Sequence, residues 1–578
     1  MTRHAGIVTR FSALVAAIAL GACGGSSTPA AVAPATAPAR GGELVTALRT
    51  DPRSFNRLKA QDSTTDLLTI LTQAKLVRIN NTTQEVEPWL AESWTTSDDR
   101  RRVTLKLREH VAFSDGEPFT ADDVLFTFEA VYDKRADTVL ADSMQTAAGQ
   151  RLTVTAPDAH TVEIAFATPF APGVRLLDNL PILPRHKLGA ALKDGSFARA
   201  WSVSTPPSDV VGLGPFVLTQ YVPGQRLVFA RNPHYWRKAA DGTPLPYLDK
   251  LTVEIIPDQN AELLRLQAGQ LDATVRPLGP EAYATLRRAG DTSRVKLLDL
   301  GLGLEADAFW INLKPGAFAG DPRAAWLQRD ELRRAISMAV DRKAFADTVF
   351  LGAAEPVYGP FTPSNRKWYW EGTPKVPYDP AGAKAILATI GLVDRKGRGV
   401  LEDAKGTPVR FTLLTQKGRA PLERGATVIR DDLKKIGITV DLAMLDGNTV
   451  ISTVMGSQKY DAVYFNPLWS DTDPALTQDV WLSAGTSHFW NLEQKTPATP
   501  WERQIDELMA KQVASPDEAE RRRLFDEVQR VFAEHVPIVY FAAPHVYAAI
   551  SAHVANATPA VGGLYPILWA PDTLAVIH

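Results

Sequence analysis

The chain has 578 residues, which is too long for one hydrophobic core and predicts several domains. Hydrophobic residues make up 45% and charged residues 22%, a globular composition that excludes a fibrous or disordered chain. The formal charge of -2 argues against a basic nucleic-acid-binding protein, and no apolar run is long enough to span a membrane.

The amino-terminus has the pattern of a secretory signal. A basic stretch without acidic residues precedes the apolar run 11–20, and small residues then lead to Cys23, the single cysteine. This resembles the bacterial lipobox, which implies a lipoprotein signal peptide over 1–22 and a lipid on Cys23. Residues 23–42, rich in Gly, Ser, Ala and Pro, then form a lipidated tether with almost nothing to bury. An ordinary signal with a stray cysteine is the alternative.

Hydrophobic periodicity along the body predicts strands and helices in mixed order. The predicted strands are 44–48, 103–107, 151–155, 161–166, 227–230, 252–256, 411–415 and 438–442. The predicted helices begin at Thr120, near Ala261, at Asp330, near Leu422 and at Ser515. The strand–helix–strand order over 411–442 predicts a parallel pair with a crossover helix.

Three of these helices carry cap signals. Thr120 followed by Asp123 has the spacing of a capping box, and Ser515 followed by Glu518 has the same spacing. Asp330 stands where an N-cap would precede an apolar stripe, so it is predicted to cap its helix.

Catalytic signatures are absent from the sequence. It contains no Gly-x-Ser-x-Gly elbow, no His-Glu-x-x-His pair and no Walker loop, and its histidines are scattered. We therefore expect no enzyme activity, no metal site and no cofactor.

Segments spread along the chain match one family in order. They are 90–94, 113–124, 182–186, 212–216, 231–236, 268–272, 332–342 and 378–380. The chain resembles the extracytoplasmic solute-binding proteins of peptide-type ATP-binding cassette (ABC) transporters, the oligopeptide, dipeptide and nickel binding family, bacterial solute-binding protein family 5. Most of the matching residues have structural roles: Asp115-Gly116 reads as a tight turn and Thr120 as a cap.

The resemblance implies an α/β fold that is two-lobed and periplasmic-binding-protein-like, of the class II type, with mixed sheets and an extra subdomain on lobe I. The implied segments are lobe I over 43–88, 206–304 and 536–578, the extra subdomain over 89–205 and lobe II over 305–535.

The resemblance also implies a site between the lobes. In peptide-binding members, an aspartate shortly after a tryptophan pairs with the α-ammonium of the ligand. Here Asp471 and Asp473 follow Trp469 in a shortened loop, so both are candidates; alignment favours Asp471. Trp469 is a candidate pocket wall, and Asn56 and Trp370 lie near the cleft by rough position. The alternative is that these residues have structural roles only, the aspartates as solvated loop carboxylates or helix caps and the tryptophans as core residues.

The resulting hypothesis is a lipid-anchored receptor outside the cytoplasm, in the periplasm or at the cell surface. It binds a short peptide between closing lobes and delivers it to ABC permease subunits, as a monomer without nucleic acid. A nickel chelate, an oligosaccharide, an opine or haem are alternative ligands. A surface lipoprotein hydrolase, which a Ser–His pair in the cleft would support, and a non-transporting sensor or chaperone subunit are the rival classes.

Overall fold

The structure, a computed structural model, describes residues 40–146, 149–290, 294–466 and 471–577. The predicted signal peptide, Cys23 and Trp469 lie outside the described residues. The helices are α1 (Ser63–Thr72), α2 (Ala121–Tyr132), α3 (Gly173–Leu176), α4 (Arg185–Asp194), α5 (Gln259–Gln267), α6 (Pro280–Ala289), α7 (Asp330–Ala339), α8 (Arg342–Val349), α9 (Pro380–Thr389), α10 (Ala420–Lys435), α11 (Gly447–Ile451), α12 (Gln478–Trp481), α13 (Pro500–Ala514) and α14 (Glu518–His535). The strands are β1 (Glu43–Leu48), β2 (Val77–Ile79), β3 (Val86–Pro88), β4 (Ala91–Thr96), β5 (Arg102–Leu107), β6 (Thr153–Asp158), β7 (Thr161–Ala165), β8 (Phe216–Val222), β9 (Arg226–Arg231), β10 (Lys250–Ile255), β11 (Ala273–Thr274), β12 (Val295–Leu302), β13 (Ala308–Ile311), β14 (Ala354–Pro356), β15 (Arg410–Gln416), β16 (Thr439–Leu445), β17 (Ala462–Phe465), β18 (Ile538–Tyr540), β19 (Ala542–Ser551), β20 (Val554–Ala555) and β21 (Ala575–Val576).

Three sheets organise the protein into two lobes. Lobe I contains the eight-stranded sheet, in the order β12-β19-β11-β1-β10-β9-β8 with β14 beside β19, and the four-stranded sheet β4-β5-β7-β6. Lobe II is built on the five-stranded sheet β16-β15-β17-β13-β18. In lobe I, β1 is parallel to β10 and β11 whereas β9 is antiparallel to β10, so the sheet is mixed as predicted.

Several predicted elements are confirmed. The strands β15 and β16 are parallel, with Phe411 opposite Val440, and α10 connects them. The capping box of α2 is complete: the backbone N–H of Asp122 donates to Thr120 Oγ1, and the N–H of Thr120 donates to the Asp123 carboxylate. The local patterns therefore specified these elements correctly.

The predicted cap at Asp330 is wrong by one position. Asp330 is the first residue of α7, and Arg329 takes the N-cap position without a side-chain hydrogen bond. The Asp330 carboxylate instead accepts hydrogen bonds from Arg333 and His535. It ties α7 to the end of α14 rather than to its own first turn.

The predicted cap at Ser515 is also wrong. Asp517 caps α14 by accepting from the N–H groups of Ala519 and Glu520, and Ser515 ends α13. A residue that precedes a proline is disfavoured in the helical region, which explains why Ser515, before Pro516, terminates a helix.

Lobe II packs on both faces of its sheet. Along β13, Phe309 and Ile311 join a core with α7 to α10, while Ala308 and Trp310 join a core with α13 and α14. Successive strand side chains point to opposite faces, which explains this alternation. The second core also contains Trp368, Trp481 and Trp490, so these tryptophans have packing roles.

The chain crosses between the lobes at 303–307 and again around Phe541, and β14 of the intervening chain pairs with β19 beside the second crossing. The Asp307 N–H donates to the Ala542 carbonyl at 3.0 Å, and the Gly303 N–H donates to the Pro544 carbonyl at 2.8 Å. Because β18 pairs with β13, Ile538–Tyr540 belongs to the five-stranded sheet, and β19 (Ala542–Ser551) joins the eight-stranded sheet. Two paired crossings of this kind form a narrow connection about which lobes can rotate.

Candidate ligand-binding site

Strand ends of both lobes face the crossings. In lobe I, β1 is parallel to β11, and β11 is antiparallel to β19, so the carboxyl end of β1 lies toward the start of β19. In lobe II, Phe465 at the end of β17 is opposite Ala308 at the start of β13. The carboxyl ends of β1 and β17 therefore border the junction of the lobes.

A buried carboxyl group lies at one crossing. Asp307 is fully enclosed and accepts hydrogen bonds from Tyr464 Oη and from Asn466 Nδ2, the latter at 3.2 Å. Burial raises the pKa of Asp307 to about 6, and these hydrogen bonds oppose the rise. Asn466 directly precedes the segment that contains Trp469, so this network links the crossing to the predicted ligand loop.

The structure places Asp471 against an arginine of the other lobe. Arg175 Nε lies 2.7 Å from Asp471 Oδ1, with side-chain exposures of 11% for Arg175 and 5% for Asp471. The Nη2 and Nη1 atoms of Arg175 donate to Thr472 Oγ1 at 2.8 Å and to the Gln84 carbonyl at 2.7 Å. Burial raises the pKa of Asp471, and the Arg175 charge opposes that rise. Asp471, the residue predicted to bind the ammonium group of the ligand, is thus already paired with a cation.

Asp473 has a different environment, within lobe II. Its Oδ1 atom accepts a hydrogen bond from Arg521 at 2.6 Å and another from the Ala475 N–H at 2.9 Å. The Arg521 guanidinium also lies over the ring of Trp368, 4.9 Å from its centroid. These contacts anchor the loop to α14.

The other predicted contacts lie apart from this loop. Asn56 is fully buried, and its Oδ1 atom accepts from the Leu58 N–H at 3.0 Å, an arrangement that holds its own turn. Trp370 is half-buried, and its ring covers Gly372 so closely that a Cβ there would lie 2.4 Å from Cε2. The structure thus brings neither residue to Asp471 through a described contact.

Arg175 was missed by the sequence reasoning. It lies 296 residues from Asp471, in a helix of four residues with no motif around it. Only the packing of the two lobes brings the pair together, and no local signal identifies it.

A Ser–His–Asp arrangement exists, but not at the lobe junction. Ser551 Oγ lies 2.7 Å from His553 Nδ1, and His553 Nε2 lies 2.9 Å from Asp272 Oδ1. Ser551 ends β19 opposite Val295, at the far end of that strand from the crossing. Its position does not support the hydrolase alternative, which required such a pair in the cleft. Among the described residues, no cluster of His, Cys, Asp and Glu has a metal-binding arrangement.

Two α/β lobes joined by paired crossings, with polar loops at their junction, define a two-lobed binding protein. The chain belongs to family 5 of the bacterial extracellular solute-binding proteins: the family profile, described as "Bacterial extracellular solute-binding proteins, family 5 Middle", matches residues 85–489. The family resemblance and the two-lobed fold drawn from the sequence are confirmed. No helix within the described part of the chain is both long and apolar enough to cross a membrane.

Relatives match along most of the chain. It is 27% identical over 524 residues to a probable ABC transporter-binding protein of Deinococcus radiodurans, covering 86% of each chain. It is 26% identical over 559 residues to the oligopeptide-binding protein AppA of Bacillus subtilis, covering 93% of each. The structure of NikA from Brucella suis in complex with Fe(III)-EDTA has a TM-score of 0.76 and 22% identity, covering 93% of this chain and 100% of NikA. This last likeness concerns the fold.

Proposed function

We propose that the protein is a receptor for short peptides that closes its lobes on the ligand and delivers it to an ABC permease. The carrying observation is the end-to-end match to an oligopeptide-binding protein, over 93% of both chains. The two-lobed fold with one paired connection supports a receptor that closes around its ligand.

The proposed mechanism is a shift between open and closed forms. The segments around Asp307 and Phe541 act as the hinge, and the ligand binds the closed form better and so increases its population. The peptide main chain is read by strand-like hydrogen bonds, which tolerate varied side chains. Asp473, Trp469, Asn56 and Trp370 remain predicted ligand contacts, whereas the predicted contact Asp471 is paired with Arg175.

The ligand class is tested by mass spectrometry of the material that co-purifies with the protein. We expect short peptides, confirmed by calorimetric titration with synthetic copies. A metal chelate or an oligosaccharide in their place would contradict the peptide proposal and leave the receptor role intact. NikA, crystallised with Fe(III)-EDTA, makes the chelate the most relevant comparison probe.

We also propose that a lipid on Cys23 anchors the receptor to a membrane outside the cytoplasm. Two or more acyl chains hold a protein stably on a bilayer, whereas a tether without lipid does not. The Cys23→Ser variant should move from the membrane fraction to the soluble fraction after cell lysis. Ser26→Ala, also in the predicted tether, is the matched control. Equal membrane retention of Cys23→Ser and wild type would refute the anchor.

A further inference from the structure

The contacts of Arg175 join the two lobes. Arg175 belongs to lobe I, and Asp471 and Thr472 belong to the loop of lobe II that borders the junction. The side chain is directed by a third bond, to the Gln84 carbonyl of lobe I. The three guanidinium nitrogens Nε, Nη1 and Nη2 therefore each have a different oxygen partner, and these three hydrogen bonds fix the orientation of the guanidinium group.

Neighbouring contacts connect the same surfaces. Gln84 Nε2 donates to the Ser364 carbonyl of lobe II at 2.7 Å. Lys367 of lobe II lies 3.3 Å from Glu85 of lobe I and 2.8 Å from Glu518 of its own lobe. The Arg175 pair is the most enclosed of these ion pairs, since Glu85 and Glu518 are 62% and 65% exposed.

The loop that carries Asp471 is held firmly on the lobe II side. The Asp473 N–H donates to Asp471 Oδ1 at 2.8 Å, and Asn365 Nδ2 donates to the Thr472 carbonyl at 3.0 Å. The Asp473 N–H and Arg175 Nε donate to the same oxygen of Asp471, so the backbone of lobe II orients the carboxylate that meets lobe I. Removing one partner of a buried ion pair leaves the other charge desolvated and unpaired, which is costly.

We propose that Arg175 and Asp471 form a clasp between the closed lobes, and that Arg175 takes the place at Asp471 that a ligand ammonium would otherwise fill. Because Asp471 is already paired, it does not select for a charged amino-terminus, and the receptor accepts ligands with a free or a blocked amino group. The specificity part of this inference rests on the proposed peptide-receptor function; the clasp itself does not.

The test uses Arg175→Gln, Asp471→Asn and the double variant, with trialanine and N-acetyl-trialanine as calorimetric probes. Arg185→Gln is the matched control, because Arg185 pairs with Asp122 on the exposed surface of lobe I. Each clasp variant should weaken both probes equally, by about tenfold or more, and the double variant should be no weaker than the worse single variant. Circular dichroism establishes that all variants are folded.

Two results would overturn the clasp. One is a loss confined to trialanine in Asp471→Asn while Arg175→Gln binds it as well as or better than wild type, which would make Asp471 the ammonium ligand. The other is additive losses in the double variant.

If wild type binds neither probe, the peptide proposal fails separately, and small-angle X-ray scattering of the same proteins without probe decides the clasp. A larger radius of gyration in Arg175→Gln and Asp471→Asn than in wild type and Arg185→Gln supports it. Equal radii refute it.

Discussion

At the scale of single residues, burial and partners distinguish carboxylates that look alike in the sequence. Asp471 and Asp473 are two residues apart, yet one faces Arg175 of lobe I and the other Arg521 of lobe II. Asp307 is almost fully buried, no arginine among the described residues lies within ion-pair distance of it, and hydroxyl and amide donors hold it instead. Its environment favours the protonated form.

The Asp307→Asn variant tests this environment through pH. The pKa of Asp307 is about 6 in the folded state, against 3.8 for an unperturbed aspartate. Between these two pH values, Asp307 is therefore protonated to a greater extent in the folded protein than in the unfolded chain. Stability from this group is therefore present below about pH 4 and is lost as pH rises to about 6, by about 3 kcal/mol. Urea unfolding between pH 4 and 7 should show this decline in wild type and a flatter profile in Asp307→Asn. Asp98→Asn, an exposed carboxylate, is the control; parallel profiles for wild type and Asp307→Asn would contradict the assignment.

At the scale of elements, a family motif is explained by close packing. Gly212 and Gly214 lie against the end of α1: a Cβ on Gly214 would come within 2.4 Å of the Thr72 carbonyl carbon, and one on Gly212 within 2.0 Å of its oxygen. The Gly214 N–H donates to the same carbonyl at 2.9 Å. The motif thus allows the backbone before β8 to reach the helix terminus.

The Gly214→Ala variant should be destabilised by about 2 kcal/mol or more. The added Cβ would overlap backbone atoms, which cannot move aside as a flexible side chain could. Gly456→Ala is the matched control, because nothing lies within 4 Å of a Cβ at that position. Urea unfolding measures both changes. If Gly214→Ala lowers the free energy of unfolding no more than Gly456→Ala does, α1 shifts to accommodate the Cβ, and the close-packing explanation is wrong.

At the scale of the whole molecule, the paired crossings connect two lobes that also pack against each other, since Ala475 and Val513 of lobe II belong to the core of lobe I. Each lobe has its own sheets, and lobe II has cores on both faces of its sheet. A ligand that bridges the lobes therefore acts on their relative orientation more than on either core.

Saturation with the ligand found by mass spectrometry should compact the protein and raise its melting temperature. A ligand at one hundred times its dissociation constant stabilises the folded state by about 2.7 kcal/mol. Small-angle scattering and calorimetric melting of the same sample measure the two effects. A rise in melting temperature without a fall in the radius of gyration would place the ligand within one lobe and contradict closure.

The sequence by itself determined the family, the mixed α/β class and many elements, because strand alternation, the β15–α10–β16 order and the capping box of α2 are encoded by neighbouring residues. It failed at Asp330 and Ser515, where a one-residue or two-residue shift in a helix start leaves the hydrophobic pattern unchanged. Only the tertiary structure decided which carboxylates form ion pairs, and whether each partner lies in the same lobe or in the other lobe. Arg175 and Asp471 are 296 residues apart, and their contact follows from how the lobes pack, which no local pattern contains.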